Sequence, residues 1–274
     1  MGDAPRPIPR RSGFLAREGE RIYYELCGEG PDLVLCHGAG GNHAVWFQQV
    51  AWFAARGRRV LSFDQRGFGR STDRALEGGP EAATEDLRAL LEQLEIGPAD
   101  VVGQSMGGWA ALGLALAAPA RVRRLVLADT LGGIASADIL GKLRDHASAA
   151  ALSETEAASA LGRHPALDES FALREPALAH LYQMIGGFGE PDLGRVAPRL
   201  FALRRDEAEL RALSVPTLFV VGSRDRLFPP DVIRAAAALL PGARVAEIEG
   251  AGHSPYFERA AEWNARVAEF LDAP

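Results

Sequence analysis

Asp100-Val101-Val102-Gly103-Gln104-Ser105-Met106-Gly107-Gly108-Trp109 sets one serine between an apolar, β-prone run and a helix-prone one. Gly103 and Gly107 lack Cβ atoms, so a strand end and a helix start can approach closely while Ser105 takes a strained turn that lifts its hydroxyl clear of the backbone. Such a turn is a nucleophile elbow. Glycine is frequent here, 30 in 274 residues, and about one chain in seven of this composition carries that spacing by chance. The neighbouring segments therefore decide what it means.

Upstream, Asp32–Cys36 and Arg59–Phe63 are short apolar runs of the kind buried on both faces of a parallel sheet. The first ends in His37-Gly38-Ala39-Gly40-Gly41-Asn42 and the second in Asp64-Gln65-Arg66-Gly67-Phe68-Gly69-Arg70-Ser71. Residues 45–56 have helical spacing, and in 84–96 Leu87, Leu90, Leu91 and Leu94 follow the i, i+3, i+4, i+7 pattern of an amphipathic helix. Downstream of the elbow come an almost wholly apolar helix over 106–118 and a strand over 124–129. From 131 to about 213 the alternation lapses into Ala-rich helical pieces broken by Gly and Pro. It resumes with a strand over 217–221, a helix over 231–240, the strand Arg244–Ile248 and a terminal helix over 260–271. Two β-prone runs around Glu18-Gly19-Glu20 read as an opening hairpin.

This order predicts an α/β fold: a mostly parallel, doubly wound eight-stranded sheet with an inserted helical cap. Residues 13–130 and 214–274 form the core domain, 131–213 the cap, and 1–12, rich in Pro and Arg, a flexible tail. Ligands bind such sheets beyond the carboxyl ends of the strands, and every polar feature named here falls there.

Composition narrows the chemistry. Net charge is -6, and the one compact basic cluster, Arg6 to Arg11, lies in the tail, so nucleic acid is not an expected partner. Lys142 is the single lysine, which argues against a lysine nucleophile. Cys27 and Cys36 are the only cysteines, without CxxC or clustered His, and read as reduced core residues with no metal site. There is no apolar leader and no long uncharged apolar run, so the expectation is a cytoplasmic protein without membrane contact. Oligomeric state is left open.

A serine hydroxyl needs a base with a pKa near neutrality. Of six histidines, His253 in Gly250-Ala251-Gly252-His253-Ser254 lies between the last strand and the terminal helix and is the base by position. His37 suits bracing of the glycine loop, and His146, His164 and His180 fall in the cap. The base needs a carboxylate to fix its tautomer. Asp225, in Gly222-Ser223-Arg224-Asp225, gives the order Ser, Asp, His that follows an elbow of this type. Asp129 also closes a strand and is its rival; Asp64 suits capping of its own turn. The backbone N–H groups of Met106, at a helix N-terminus, and of Ala39, with Gly40 as the fallback, supply an oxyanion hole.

Together these five segments make the chain resemble the α/β-hydrolase superfamily, over about residues 13–130 and 214–272. The resemblance implies attack of Ser105 on an acyl carbonyl, His253 taking the proton, and water clearing the acyl-enzyme, with no cofactor or metal. Serine at 105, where an aspartate nucleophile would stand, disfavours a dehalogenase or epoxide-hydrolase route. The loose likeness is to esterases, lactonases, enol-lactonases, carbon–carbon bond hydrolases and cofactor-free haloperoxidase-like members. The expected activity is hydrolysis of a small, mostly apolar carboxylic ester or lactone. Carbon–carbon cleavage or perhydrolysis on the same residues, and a ligand-binding protein on the same scaffold, are the alternatives. Trp109, Met184, Ile185, Phe188, Phe201, Phe228 and Tyr256 are candidates to line the substrate pocket, or else to pack the cap onto the core.

Overall fold

Strands read from continuous apolar runs form the middle of the sheet. The computed structural model describes residues 7–151, 161–189 and 191–273. β3 (Asp32–Cys36), β4 (Arg59–Phe63), β5 (Ala99–Gln104), β6 (Val122–Ala128), β7 (Thr217–Gly222) and β8 (Arg244–Ile248) pair in parallel, and every residue of β5 and β7 is buried. An antiparallel hairpin of β1 (Arg10–Arg17) and β2 (Glu20–Cys27) adds to one edge through β2 and β4, giving the order β1-β2-β4-β3-β5-β6-β7-β8. Eight strands, mostly parallel, with helices on both sides are thus present as the sequence predicts.

Successive residues of β5 point to opposite faces. Val101 joins the apolar cluster made with α2 (Pro80–Gln93), α3 (Gly107–Ala117) and α9 (Pro230–Ala237). Val102 joins the opposite cluster, with α1 (Phe47–Ala54) and α11 (Ala260–Leu271). Burial on both faces is why neither strand shows polar alternation. Helix α2 begins four residues before the expected 84, because Pro80 takes the first helical position, where its missing N–H costs nothing.

Between β6 and β7 lie α4 (Ala137–Ala151), α5 (Glu169–Arg174), α6 (Pro176–Gly186), α7 (Leu193–Ala202) and α8 (Glu207–Ala212). They dock at both sides of the sheet's carboxyl edge. Phe171, Ala179 and Ile185 are buried with Trp46 and Phe257, and Val196, Leu200 and Leu210 with Met106 and Trp109. Arg205 pins the second contact, donating from Nε to Gly132 O (3.1 Å) and from an Nη to Trp109 O (2.8 Å).

The expected tail is too long at its C-terminal end. Residues 10–12 belong to β1, where Arg10 pairs with Cys27 across the ladder and its guanidinium binds the Glu25 carboxylate. Ladder hydrogen bonds and an ion pair order a stretch whose composition offers little apolar surface. Residues 1–6 lie outside the described residues. Cys27 and Cys36 are buried free thiols. Among the described residues no helix is long and apolar enough to cross a membrane.

Candidate active site

At the carboxyl edge of the sheet, β5 passes into α3 through Ser105, whose φ of 47° is a left-handed value rare for a residue with a side chain. The turn is braced from below. Ser105 N–H donates to Ala128 O (2.9 Å), and the Thr130 hydroxyl donates to Ser105 O (2.6 Å), tying the turn to the end of β6. A Cβ on Gly107 would lie 2.2 Å from Cys36 O, and one on Gly103 2.6 Å from Gly107 O. Glycine is therefore required at both positions, for close approach of backbone to backbone.

Asp225 and His253 meet in the structure. Asp225 Oδ2 accepts from His253 Nδ1 at 2.8 Å, and both residues are buried. The other oxygen, Oδ1, accepts the N–H groups of Leu227 (2.8 Å) and Phe228 (3.0 Å), which leaves the carboxylate one orientation. The proton on Nδ1 leaves Nε2 as the free basic nitrogen. The Phe228 ring packs 5.6 Å from the imidazole. Gln104, beside Ser105, donates from Nε2 to His253 O at 3.0 Å, so the elbow and the histidine loop are directly joined.

The glycine loop packs against the elbow. A Cβ on Gly38 would lie 2.1 Å from Gln104 Oε1 and 3.0 Å from the Ser105 Cβ. Gly41 N–H donates to Gly38 O (3.1 Å), closing a turn around Ala39 and Gly40, and Gly40 has φ 75°. Met106 is the residue from which α3 starts. His37 braces this turn: Nδ1 donates to Gly38 O (2.8 Å) and Nε2 accepts from Gln65 N–H (3.0 Å). Burial holds its pKa below the usual value, in keeping with a neutral ring. Asp64 accepts the His43 and Arg70 backbone N–H groups, at 2.6 and 2.8 Å, and caps its own turn.

Asp129 lies beside Asp225. Its Oδ1 accepts Gly222 N–H (2.9 Å), its φ is 48°, and it is completely buried. Asp129, Asp225 and His253 are the described cluster whose ligand-type atoms lie within 4.8 Å of one another. Both oxygens of Asp225 and Nδ1 of His253 are already engaged in hydrogen bonds, a pattern suited to holding protons rather than a cation.

The candidate pocket residues divide. Trp109 and Phe228 are buried around the elbow and the imidazole, and Trp109 Nε1 donates to Leu200 O in the cap (2.9 Å). Tyr256 is buried on Trp46, 4.5 Å between ring centres, and Ile185 is buried in the same cluster. Met184, Phe188 and Phe201, in contrast, are 49%, 61% and 49% exposed, beyond what apolar spacing alone could tell. Two residues that sequence reading passes over prove central. Glu258 accepts Gly252 N–H (2.9 Å) and Asp168 N–H (3.0 Å). Tyr182 OH meets Ser254 Oγ at 2.9 Å, beside His253.

Comparison with known proteins agrees with this architecture. Residues 33–266 match the model of the Alpha/beta hydrolase family. The chain is 31% identical to a 2-hydroxymuconate semialdehyde hydrolase of Pseudomonas sp. (strain CF600), over 98% of this chain and 96% of that one. It superposes on the enol-lactonase from Burkholderia xenovorans LB400 with a TM-score of 0.76 and 28% identity, covering 95% of this chain and all of the other. A thermophilic esterase from Thermogutta terrifontis gives a TM-score of 0.77 at 27% identity, with 96% and 98% covered. A glycine-flanked serine on a parallel strand, a histidine and an aspartate from the last two loops, and a family match across most of the chain lead to one assignment: this protein belongs to the α/β hydrolase family.

Proposed function

We propose that the protein is a serine hydrolase that cleaves a small, mostly apolar carboxylic ester or lactone. Ser105 is the nucleophile, His253 the general base and then acid, and Asp225 the orienting carboxylate. The observation that carries this reading is the buried 2.8 Å hydrogen bond from His253 Nδ1 to Asp225, whose second oxygen is held by two backbone N–H groups. It leaves Nε2 to take the Ser105 proton as Oγ attacks the acyl carbon. Negative charge then develops on the carbonyl oxygen, where the N–H groups of Met106 and Ala39 stabilise it. Nε2 returns the proton to the departing alcohol, and water activated by the same nitrogen clears the acyl-enzyme. Trp109 and Phe228 bound the acyl site with apolar surface. No cationic cluster is among the candidate lining residues, which suits an uncharged substrate better than a polyanion.

Ser105→Ala tests this reading. Loss of hydrolysis of p-nitrophenyl esters by at least about 10⁴-fold, with fluorophosphonate labelling abolished, is the expected result. Full turnover in that variant contradicts the assignment.

A second reading has its own support: the 31% identity to a 2-hydroxymuconate semialdehyde hydrolase spans nearly the whole chain. Carbon–carbon bond cleavage on the same three residues would release an enolate in place of an alcohol. Turnover of β-diketone-like substrates at rates above those for esters and lactones selects it.

A further inference from the structure

Asp129 brings a second carboxyl group to the acid of the candidate triad. It is completely buried, and Oδ1 is taken by Gly222 N–H at 2.9 Å. No N–H or O–H among the described residues satisfies Oδ2. The Asp129 carboxyl lies in one cluster with Asp225 and His253, with ligand-type atoms of the three within 4.8 Å of one another. Two ionised carboxylates in such a place would repel each other, and a buried unpaired charge is among the costliest arrangements in a protein. One proton removes both penalties, because it turns an orphaned acceptor into a donor aimed at the neighbouring acceptor.

We propose that Asp129 is a neutral carboxylic acid whose O–H donates to the Asp225 carboxylate, and that this hydrogen bond makes Asp129 a positioning residue for the Asp225–His253 pair. The inference rests on the reading of Ser105, Asp225 and His253 given above. Asp225 then receives donors from all sides: Leu227 N–H and Phe228 N–H on Oδ1, His253 on Oδ2, and Asp129 as the fourth. A carboxylate so surrounded is fixed in place. Part of its charge is drawn toward the Asp129 hydroxyl, so less of it is left to favour the imidazolium; loss of that donor gives the charge back.

Burial and the Asp225 charge hold the Asp129 carboxyl well above the usual range, in that order of importance. The other titratable groups facing it are Glu258 from α10 (Pro255–Glu258), Tyr256 from the same helix and Tyr182 from α6. Burial raises the pKa of all three, so none supplies a competing charge to Asp129 below neutral pH. The left-handed φ at 129 suits Asp, Asn or Gly and few other residues.

Asparagine is the informative replacement. With Gly222 N–H fixing the amide oxygen, the new side chain must turn its NH₂ toward Asp225, which reproduces the donor without a titrating proton. Glycine keeps the backbone geometry and removes the donor. The experiment is the rate of fluorophosphonate labelling of Ser105 from pH 4 to 9 in the full chain, for wild type, Asp129→Asn and Asp129→Gly. The proposal expects Asp129→Asn to label within tenfold of wild type with the acidic limb in place. Asp129→Gly should label more than tenfold more slowly, with its limb moved upward by half a pH unit or more.

An ionised Asp129 predicts the opposite: Asp129→Asn removes a charge that favoured the imidazolium, and its limb moves down. That shift, or equal losses in the Asn and Gly variants, overturns the proposal. If Asp129→Gly fails to fold, the Asp129→Asn limb alone decides. Wild-type protein that labels normally beside a failed Asp129→Asn brings down this inference only. Wild-type protein that does not label at Ser105 brings down the reading of the site itself, and the proposal with it.

Discussion

Glu258 ties the histidine loop to the cap: Oε1 accepts the N–H of Gly252, next to His253, and Oε2 accepts the N–H of Asp168, at the start of α5. Asp168 also reaches Arg224, the neighbour of Asp225, at 3.3 Å. One end of the cap is thereby fastened across both loops that carry the candidate acid and base.

Burial pushes the Glu258 carboxyl up to about 7. The folded chain therefore holds a proton that the unfolded chain has already released. Stability from this group is greatest below the ordinary Glu pKa of about 4.3, falls as pH rises toward 7, and is level above that. The full penalty is on the order of 3 kcal/mol. Urea unfolding at pH 5 and pH 8 should show a markedly smaller stability difference in Glu258→Gln than in wild type. Burial of Asp129 acts in the same direction in both proteins and cancels. An unchanged difference would mean that Glu258 is ionised throughout.

Gly222→Ala should damage the site through backbone alone. The new Cβ would stand 2.0 Å from Gly252 O and 2.5 Å from Ala251 O, neither of which can swing aside as a flexible side chain does. Relief requires separation of the loops bearing Asp225 and His253. The expected cost is roughly 1–3 kcal/mol in stability, as for other overpacking changes. A displacement of about 1 Å at the pair should also slow Ser105 labelling on the order of 10²-fold. Labelling at the wild-type rate would show that the strain is absorbed elsewhere.

Asp225→Asn should leave the fold intact and lose on the order of 10⁴-fold in turnover. Leu227 N–H and Phe228 N–H hold the amide oxygen where Oδ1 now sits. The NH₂ must then face His253, which can only accept through Nδ1, so Nε2 carries the proton and cannot act as base. Unfolding midpoint and turnover measured on the same preparation check this. If turnover survives, another group must orient the imidazole.

Much of this site was legible in the sequence because short-range chemistry specifies it. Gly103, Gly107 and Gly222 each mark a place where backbone meets backbone, and the polar ends of apolar runs mark the edge where the strands finish. Chain order narrowed the partner of His253 to Asp225 or Asp129 without choosing between them. Glu258 was not legible in this way. It sits five residues past His253 in a short helix, and its burial depends on Leu167 and Asp168 arriving from the cap some 90 positions earlier. Asp129 was visible as a rival acid, but its neighbourhood with Asp225 is a product of β6 and β7 lying side by side. The cap was hardest to read, since an Ala-rich helix does not tell which of Met184 and Ile185 faces inward.

Arg205 offers a test of how the cap is seated. Its guanidinium lies in the seam between cap and core, where burial lowers its pKa, and it donates to the carbonyls of Gly132 and Trp109. Its own N–H donates to Gly133 O at 3.0 Å. Replacement by methionine keeps much of the aliphatic bulk and removes both side-chain donors. Two effects oppose each other: a partly desolvated cation disappears, and the Gly132 carbonyl loses its side-chain donor, while Trp109 O keeps its helical partner within α3. Arg205 is only partly buried, so the first gain is small, whereas an orphaned carbonyl costs about 1–3 kcal/mol. Arg205→Met should therefore be less stable, and the loss should fall on the cap. Faster amide hydrogen exchange in α7 and α8, with β5 and β7 unaffected, is the expected pattern. Uniformly faster exchange across the sheet would instead place Arg205 in the core's own stability, and unaltered exchange would mean that apolar packing of Val196, Leu200 and Leu210 seats the cap without it.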